Sequence, residues 1–118
     1  MPAKINSELG IISIDENVIA RIAGISAMES YGIVGMASKN VTDGLYELLK
    51  TDYLEKGIKV FIKDELLTIN LHVILEYGVK ISVVADNIIE KVKFNVEKFT
   101  GIKIGHINVI VQGIRVGK

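Results

Sequence analysis

The sequence contains no cysteine, which excludes disulfide bonds and thiolate metal ligands and leaves no sign of an oxidising compartment. It also has no excess of either charge, with 14 Lys and Arg against 14 Asp and Glu. Nucleic acids and anionic membranes are usually held by a net positive surface, because phosphate neutralisation supplies most of the affinity. A neutral chain offers little of that. Long apolar runs are missing too: 49% of residues are hydrophobic, but a charge or turn residue interrupts them every few positions, far short of the ~18 to 20 that a spanning helix needs. Met1-Pro2-Ala3-Lys4 leads into polar Asn6-Ser7-Glu8, without the apolar core and small-residue cleavage site of a secretory leader. The expectation is a cytoplasmic protein with no direct membrane insertion and no nucleic-acid partner.

Recognisable catalytic spacing is also absent. There is no Gly-x-Ser-x-Gly elbow and no Gly-x-x-x-x-Gly-Lys phosphate loop. His72 and His106 lie on different strand-like segments with no carboxylate at ligand spacing, so solvent-facing strand histidines outweigh a metal or catalytic pair that only the fold could assemble. Asp15, Glu29, Asp52 and Glu55 are scattered beside caps, turns and helix surfaces, the pattern of solvated charge. The residues therefore name no catalytic, cofactor-binding or metal site. Gly32-Ile33-Val34-Gly35 has the bare G-x-x-G spacing of a KH nucleic-acid clamp, but Ile and Val stand where basic residues belong and a strand follows instead of a helix.

What is present is one domain. A chain of 118 residues makes a single unit, 1–118, able to bury roughly two-thirds of its unfolded surface. Isoleucine recurs along the whole length in short runs, and a side chain stiff at χ1 packs well on a pleated sheet. Leu9 to Ile14 is a short apolar run, and Asp15 follows as a helix N-cap. Val18, Ile22 and Ile25, with Ile19, Ala23 and Met28 beside them, predict an amphipathic helix stopped at Gly32. Ile33 to Ala37 reads as a strand, and Thr42-Asp43-Gly44 opens a short helix through Lys50.

Strict alternation then gives a hairpin. Ile58, Val60 and Ile62 form one arm, and Leu67, Ile69, Leu71, Val73, Leu75 and Tyr77 the other, with Thr68, Asn70, His72 and Glu76 on the opposite face. Ile81, Val84, Ile88, Val92, Val96 and Phe99 form the stripe of a long helix that Gly101 ends. In the last strand the apolar phase shifts by one between Ile104 and Ile107, which predicts a β-bulge at Gly105-His106. The fold class is α/β of the α+β kind: one mixed sheet, two amphipathic helices on one face, strand-helix-strand units and a central hairpin.

Two Tyr-Gly junctions punctuate this order, Tyr31-Gly32 and Tyr77-Gly78. Glycine permits a sharp turn at each, and Tyr and Met are enriched at protein interfaces. Tyr31, Met36, Ser38, Lys39, Asn40, Tyr77 and Arg115 are the candidate partner-binding residues. Tyr53 and Phe61 serve equally as edge-of-core residues or anchors. The Ile- and Val-rich tail after Gln112 can extend the last strand, and an unpaired edge there invites another copy or partner.

The ordered set Gly10-Ile11-Ile12-Ser13-Ile14, Val18 to Ala23, Tyr31-Gly32-Ile33-Val34-Gly35-Met36, Glu76-Tyr77-Gly78, Thr100-Gly101-Ile102 and Val109 to Gly113 resembles the alkaline shock protein family of Gls-type envelope stress response proteins. The likeness covers nearly the whole chain and is strongest to the small YloU-type members, where Tyr31 to Asn40 followed by Asp43-Gly44-Leu45 is the nearest stretch. It implies a non-enzymatic cytoplasmic protein of Gram-positive-type bacteria that supports envelope homeostasis under stress. It further implies self-association and, in some members, docking to a membrane-anchored relative at the inner face of the membrane. No catalytic residue or cofactor is carried over. A second class stays open beside it: an accessory or small-ligand subunit of a kinase-type enzyme, with a lipid held between helix stripe and sheet.

Overall fold

The computed structural model describes residues 3–37, 56–63 and 65–116. Six strands and two helices follow one another as β1 (Ala3–Ser7), β2 (Gly10–Ile14), α1 (Glu16–Met28), β3 (Ile33–Met36), β4 (Ile58–Lys63), β5 (Leu66–Glu76), α2 (Ile81–Thr100) and β6 (Ile104–Arg115). The α+β class holds. The short helix expected from Thr42 to Lys50 lies outside the described residues.

β5 is the axis of a four-stranded mixed sheet. β4 pairs with it antiparallel from Ile58↔Leu71 to Lys63↔Leu66, and β3 pairs antiparallel further along, with Met36 opposite Val73. These two strands share one side of β5 end to end, while β6 runs parallel along the other. The hairpin read from alternation is therefore present, and Leu67, Ile69, Leu71, Val73 and Leu75 are fully buried as its phase requires. Tyr77 departs from that series: it follows the end of β5 and is exposed.

The apolar run before Asp15 does not join this sheet. It forms β2 of a separate two-stranded hairpin with Ala3–Ser7, an extra strand that the polar Lys4 and Asn6 had hidden. Only the base of this arm reaches the core: Ala3 is buried and Ile14 half-buried, whereas Leu9 and Ile11 at its far end are exposed.

α1 begins where expected. The Asp15 carboxylate accepts from the Asn17 amide at 2.8 Å, and its carbonyl takes up the Val18 amide. The helix ends at Met28, before Gly32 turns the chain at φ +90°. Its buried face matches the expected set in part. Ile19 and Ala23 turn inward and Ile22 packs half-buried against the core, as expected; Ala20, Gly24, Ser26 and Ala27 join them, while Val18, Ile25 and Met28 are 50%, 45% and 37% exposed. Small side chains let this helix approach closely: Ser26 accepts a 2.9 Å hydrogen bond from Asn95 of α2, and Glu29 meets Lys91 at 3.4 Å. That order of contacts runs the two helices antiparallel.

α2 keeps its expected stripe through Val84, Ile88, Val92 and Val96, all buried against the sheet. Its two end members do not follow, since Ile81 and Phe99 are exposed. Gly101 closes the helix in the left-handed conformation at φ +77°, its amide donating to the Glu97 carbonyl at 2.9 Å. The Glu97 carboxylate then accepts from the Ile104 amide at 3.0 Å and fixes the start of β6. The bulge falls where the phase shift placed it: Ile104 pairs with Leu67 and His106 with Thr68, leaving Gly105 as the extra residue. A second irregularity sets Val111 opposite Val73 and Gly113 opposite Ile74, leaving Gln112 over.

Candidate docking surface

The two Tyr-Gly junctions lie far apart in sequence but meet at one end of the sheet. Ile33 pairs with Leu75, and just beyond that pair the Glu76 amide donates to the Gly32 carbonyl at 2.8 Å. The next residue, Tyr77, donates its amide to the Arg115 carbonyl at 2.7 Å. Tyr31, Tyr77 and Arg115 are thus brought to one sheet end by consecutive backbone hydrogen bonds. Both glycines take left-handed backbone angles, φ +90° at Gly32 and +98° at Gly78. Tyr31 is 79% exposed and Tyr77 73%. Large rings held out in solvent on an ordered backbone are the residue type that anchors protein interfaces at low entropic cost.

The remaining candidates separate. Met36 is fully buried in the main cluster, opposite Val73, and supplies no surface. The register shift between Ile33 and Gly35 explains this: the irregularity moves the strand out of phase, so Ile33 and Val34 are half-buried while Gly35, Met36 and Ala37 turn in. Ser38, Lys39 and Asn40 lie outside the described residues, as does Tyr53. Phe61 is 46% exposed on β4, with the Lys59 ammonium 6.0 Å from its ring.

The other chemical readings meet specific geometry. Gly32 stands in a turn and Gly35 inside a paired strand, so the G-x-x-G spacing forms no loop between helices. His72 makes a 3.1 Å contact with the Gly57 carbonyl through Nδ1. His106 lies opposite Thr68, well back along β5 from His72, so the two rings form no pair. Among the described residues no group of three or more His, Asp or Glu side chains could hold a metal. A depression of about 530 Å³ between α1 and α2 is lined by Glu29, Asn87, Glu90, Lys91, Phe94 and Asn95. Its charged lining is unsuited to an acyl chain.

Two exposed apolar features have no signal in the sequence as surfaces, Leu9 and Ile11 on the β1–β2 arm and Phe94 and Phe99 on α2, whereas the outer edge of the last strand is legible in its Ile- and Val-rich tail.

The described residues thus define a small α+β domain that carries two exposed rings at one sheet end and no cluster able to hold a metal. Comparison with known proteins sets it in a family. The chain belongs to the alkaline shock protein family, described as having a cell envelope-related function, whose model matches residues 4–116. The uncharacterized protein YloU of Bacillus subtilis is 42% identical over 117 residues, 98% of each chain. YqhY of the same organism is 32% identical over 110 residues, 93% of this chain and 81% of its own. A stress response regulator gls24 homolog of Streptococcus pyogenes is 23% identical over 106 residues, 90% of this chain and 59% of that protein. No solved structure matches the chain. Among the described residues no helix is long and apolar enough to cross a membrane.

Proposed function

We propose that this protein is a non-enzymatic interaction module of envelope stress homeostasis. It works in the cytoplasm, self-associates, and docks to a membrane-anchored envelope protein of its own family at the inner face of the membrane. The observation that carries the reading is the pair of exposed rings, Tyr31 and Tyr77, held at one sheet end by the Gly32–Glu76 and Arg115–Tyr77 backbone bonds. Two exposed tyrosines beside an arginine match the composition of interface hot spots. The family's cell envelope-related description and the stress-response name of its S. pyogenes relative supply the context.

The reading as a lipid-binding accessory subunit draws no support from the helix-sheet interface. Val84, Ile88, Val92 and Val96 fill that space against Leu67, Ile69, Leu71, Val73 and Leu75 in one buried cluster. The test is affinity capture from membrane extracts of the host with the full chain as bait. Recovery of an envelope protein by the wild type, and its loss with Tyr31→Ala/Tyr77→Ala, supports the proposal. Equal recovery by both, or none by either, overturns it.

A further inference from the structure

The strand β6 has one side on β5 and nothing among the described strands on the other. It pairs with β5 from Ile104 to Arg115, and no other described strand pairs with it. β6 has 12 residues, about 40 Å at the usual rise per residue, and from Ile104 to Ile114 its outward row of backbone amides and carbonyls faces no other described strand. Natural edges of that length are normally blunted by charges, proline or a covering element. From Ile104 to Ile114 this one has no Asp, Glu, Lys, Arg or Pro. Among the described strands nothing covers it, and two bulges, at Gly105 and Gln112, bracket a regular run from Ile107 to Val111.

Burial points to a missing neighbour. Ile107, Val109 and Val111 pair with Ile69, Leu71 and Val73, which are fully buried, yet all three remain only half-buried. They pack against the same core, and among the described strands none lies on their outer side.

The sequence of the edge is nearly symmetric about Val109. Ile104 mirrors Ile114, Gly105 mirrors Gly113, His106 mirrors Gln112, and Ile107 mirrors Val111; only Asn108 and Ile110 break the pattern. A strand of this kind placed antiparallel to a copy of itself sets apolar β-branched residues opposite one another on the core face and glycines opposite glycines. Between Ile104 and Ile114 no charges meet; like charges come opposite one another only at the two ends, where Arg115 of each copy faces Lys103 of the other. A charge-free edge carries no code for a different charged partner, and the chain as a whole, with 14 positive and 14 negative residues, does not repel its own copy.

We propose that the outer edge of β6 pairs antiparallel with β6 of a second copy about a two-fold axis at Val109, joining the two sheets into one. This rests on the self-association reading above and gives it a surface, one separate from the tyrosine end. Isologous contact closes the assembly as a dimer and removes the open edge.

The test uses the full chain in two charge forms, Asn108→Lys/Ile110→Lys and Asn108→Glu/Ile110→Glu, because residue 108 of one copy faces 110 of the other. Size exclusion with light scattering should give twice the chain mass for the wild type, the single-chain mass for each form alone, and twice the chain mass again for an equimolar mixture. A cooperative thermal unfolding transition in each charge form separates this from misfolding. If the folded charge forms stay dimeric, the edge is not the interface although self-association stands. A wild type that stays monomeric at high concentration overturns both. Should either form fail to fold, a spin label at the exposed His106→Cys in the cysteine-free background gives a second reading. The inference requires labels separated by about 20 Å across the pair, from six residues of stagger, and a much longer distance or no dipolar coupling contradicts it.

Discussion

The carbonyl of Gly32 accepts the amide of Glu76 at 2.8 Å, and by that bond the first Tyr-Gly junction is laid beside the second. Gly32 also sits hard against α2: a methyl group there would stand 2.9 Å from a Val84 methyl and 3.3 Å from one of Val79, at a backbone φ of +90°. Gly78 has a similar φ, +98°, but open space around it.

Gly32→Ala should therefore lose more stability than Gly78→Ala. Left-handed strain alone costs about 1–2 kcal/mol for a residue with a Cβ, and crowding a packed site adds about 1–3 kcal/mol. Urea unfolding of the two variants checks this, with only Gly32→Ala bearing both terms.

The buried face of α1 makes a second prediction. Ile19→Ala should cost about 2–5 kcal/mol, as expected for a fully buried side chain. Ile25→Ala, at a position 45% exposed, should lie within about 0.5 kcal/mol of the wild type. Thermal unfolding that reversed this order would put Ile25, and Val18 with it, on the inward face.

That helix also marks how far the sequence could be read. The β4–β5 hairpin, the Asp15 cap, the Gly101 stop and the bulge at Gly105 were all legible, because alternation, capping chemistry and phase are local signals. The face of α1 was legible in part: Ile19 and Ala23 turn in as expected, but Val18, Ile25 and Met28 look like core and stay exposed. Close approach to α2, with Asn95 reaching Ser26, draws in the small residues Ala20, Gly24, Ser26 and Ala27 instead. The pairing of Ala3–Ser7 with β2 was hidden by polar residues on a strand exposed along most of its length. Met36 was misplaced for a related reason: the irregularity between Ile33 and Gly35 changes the phase of β3 within a few residues. Of the docking surface, the tyrosines could be named from sequence, but not their meeting, which depends on long-range backbone pairing.

The Asp15 cap offers a third measurement. Asp15→Ala removes the acceptor of the Asn17 amide and should cost about 1 kcal/mol, while Asp15→Asn or Asp15→Ser should retain most of it. Equilibrium unfolding of the three variants distinguishes a working cap from an incidental contact.

Neither tyrosine contributes to the buried cluster. Tyr31→Ala and Tyr77→Ala should each leave the unfolding midpoint nearly unchanged. A marked fall in stability would make them edge-of-core residues and remove them as anchors.

Docking of an envelope partner at the exposed Tyr31–Tyr77 end is the proposal on which the functional reading turns. It is open to photo-crosslinking in cells, with the reactive amino acid placed at position 31 or 77 and, as control, at position 63 on the far end of β4. One discrete adduct with a membrane-anchored protein is expected from positions 31 and 77, and none from 63. Equal labelling from all three positions, or adducts from 63 alone, would place the partner elsewhere and refute the tyrosine end as its dock.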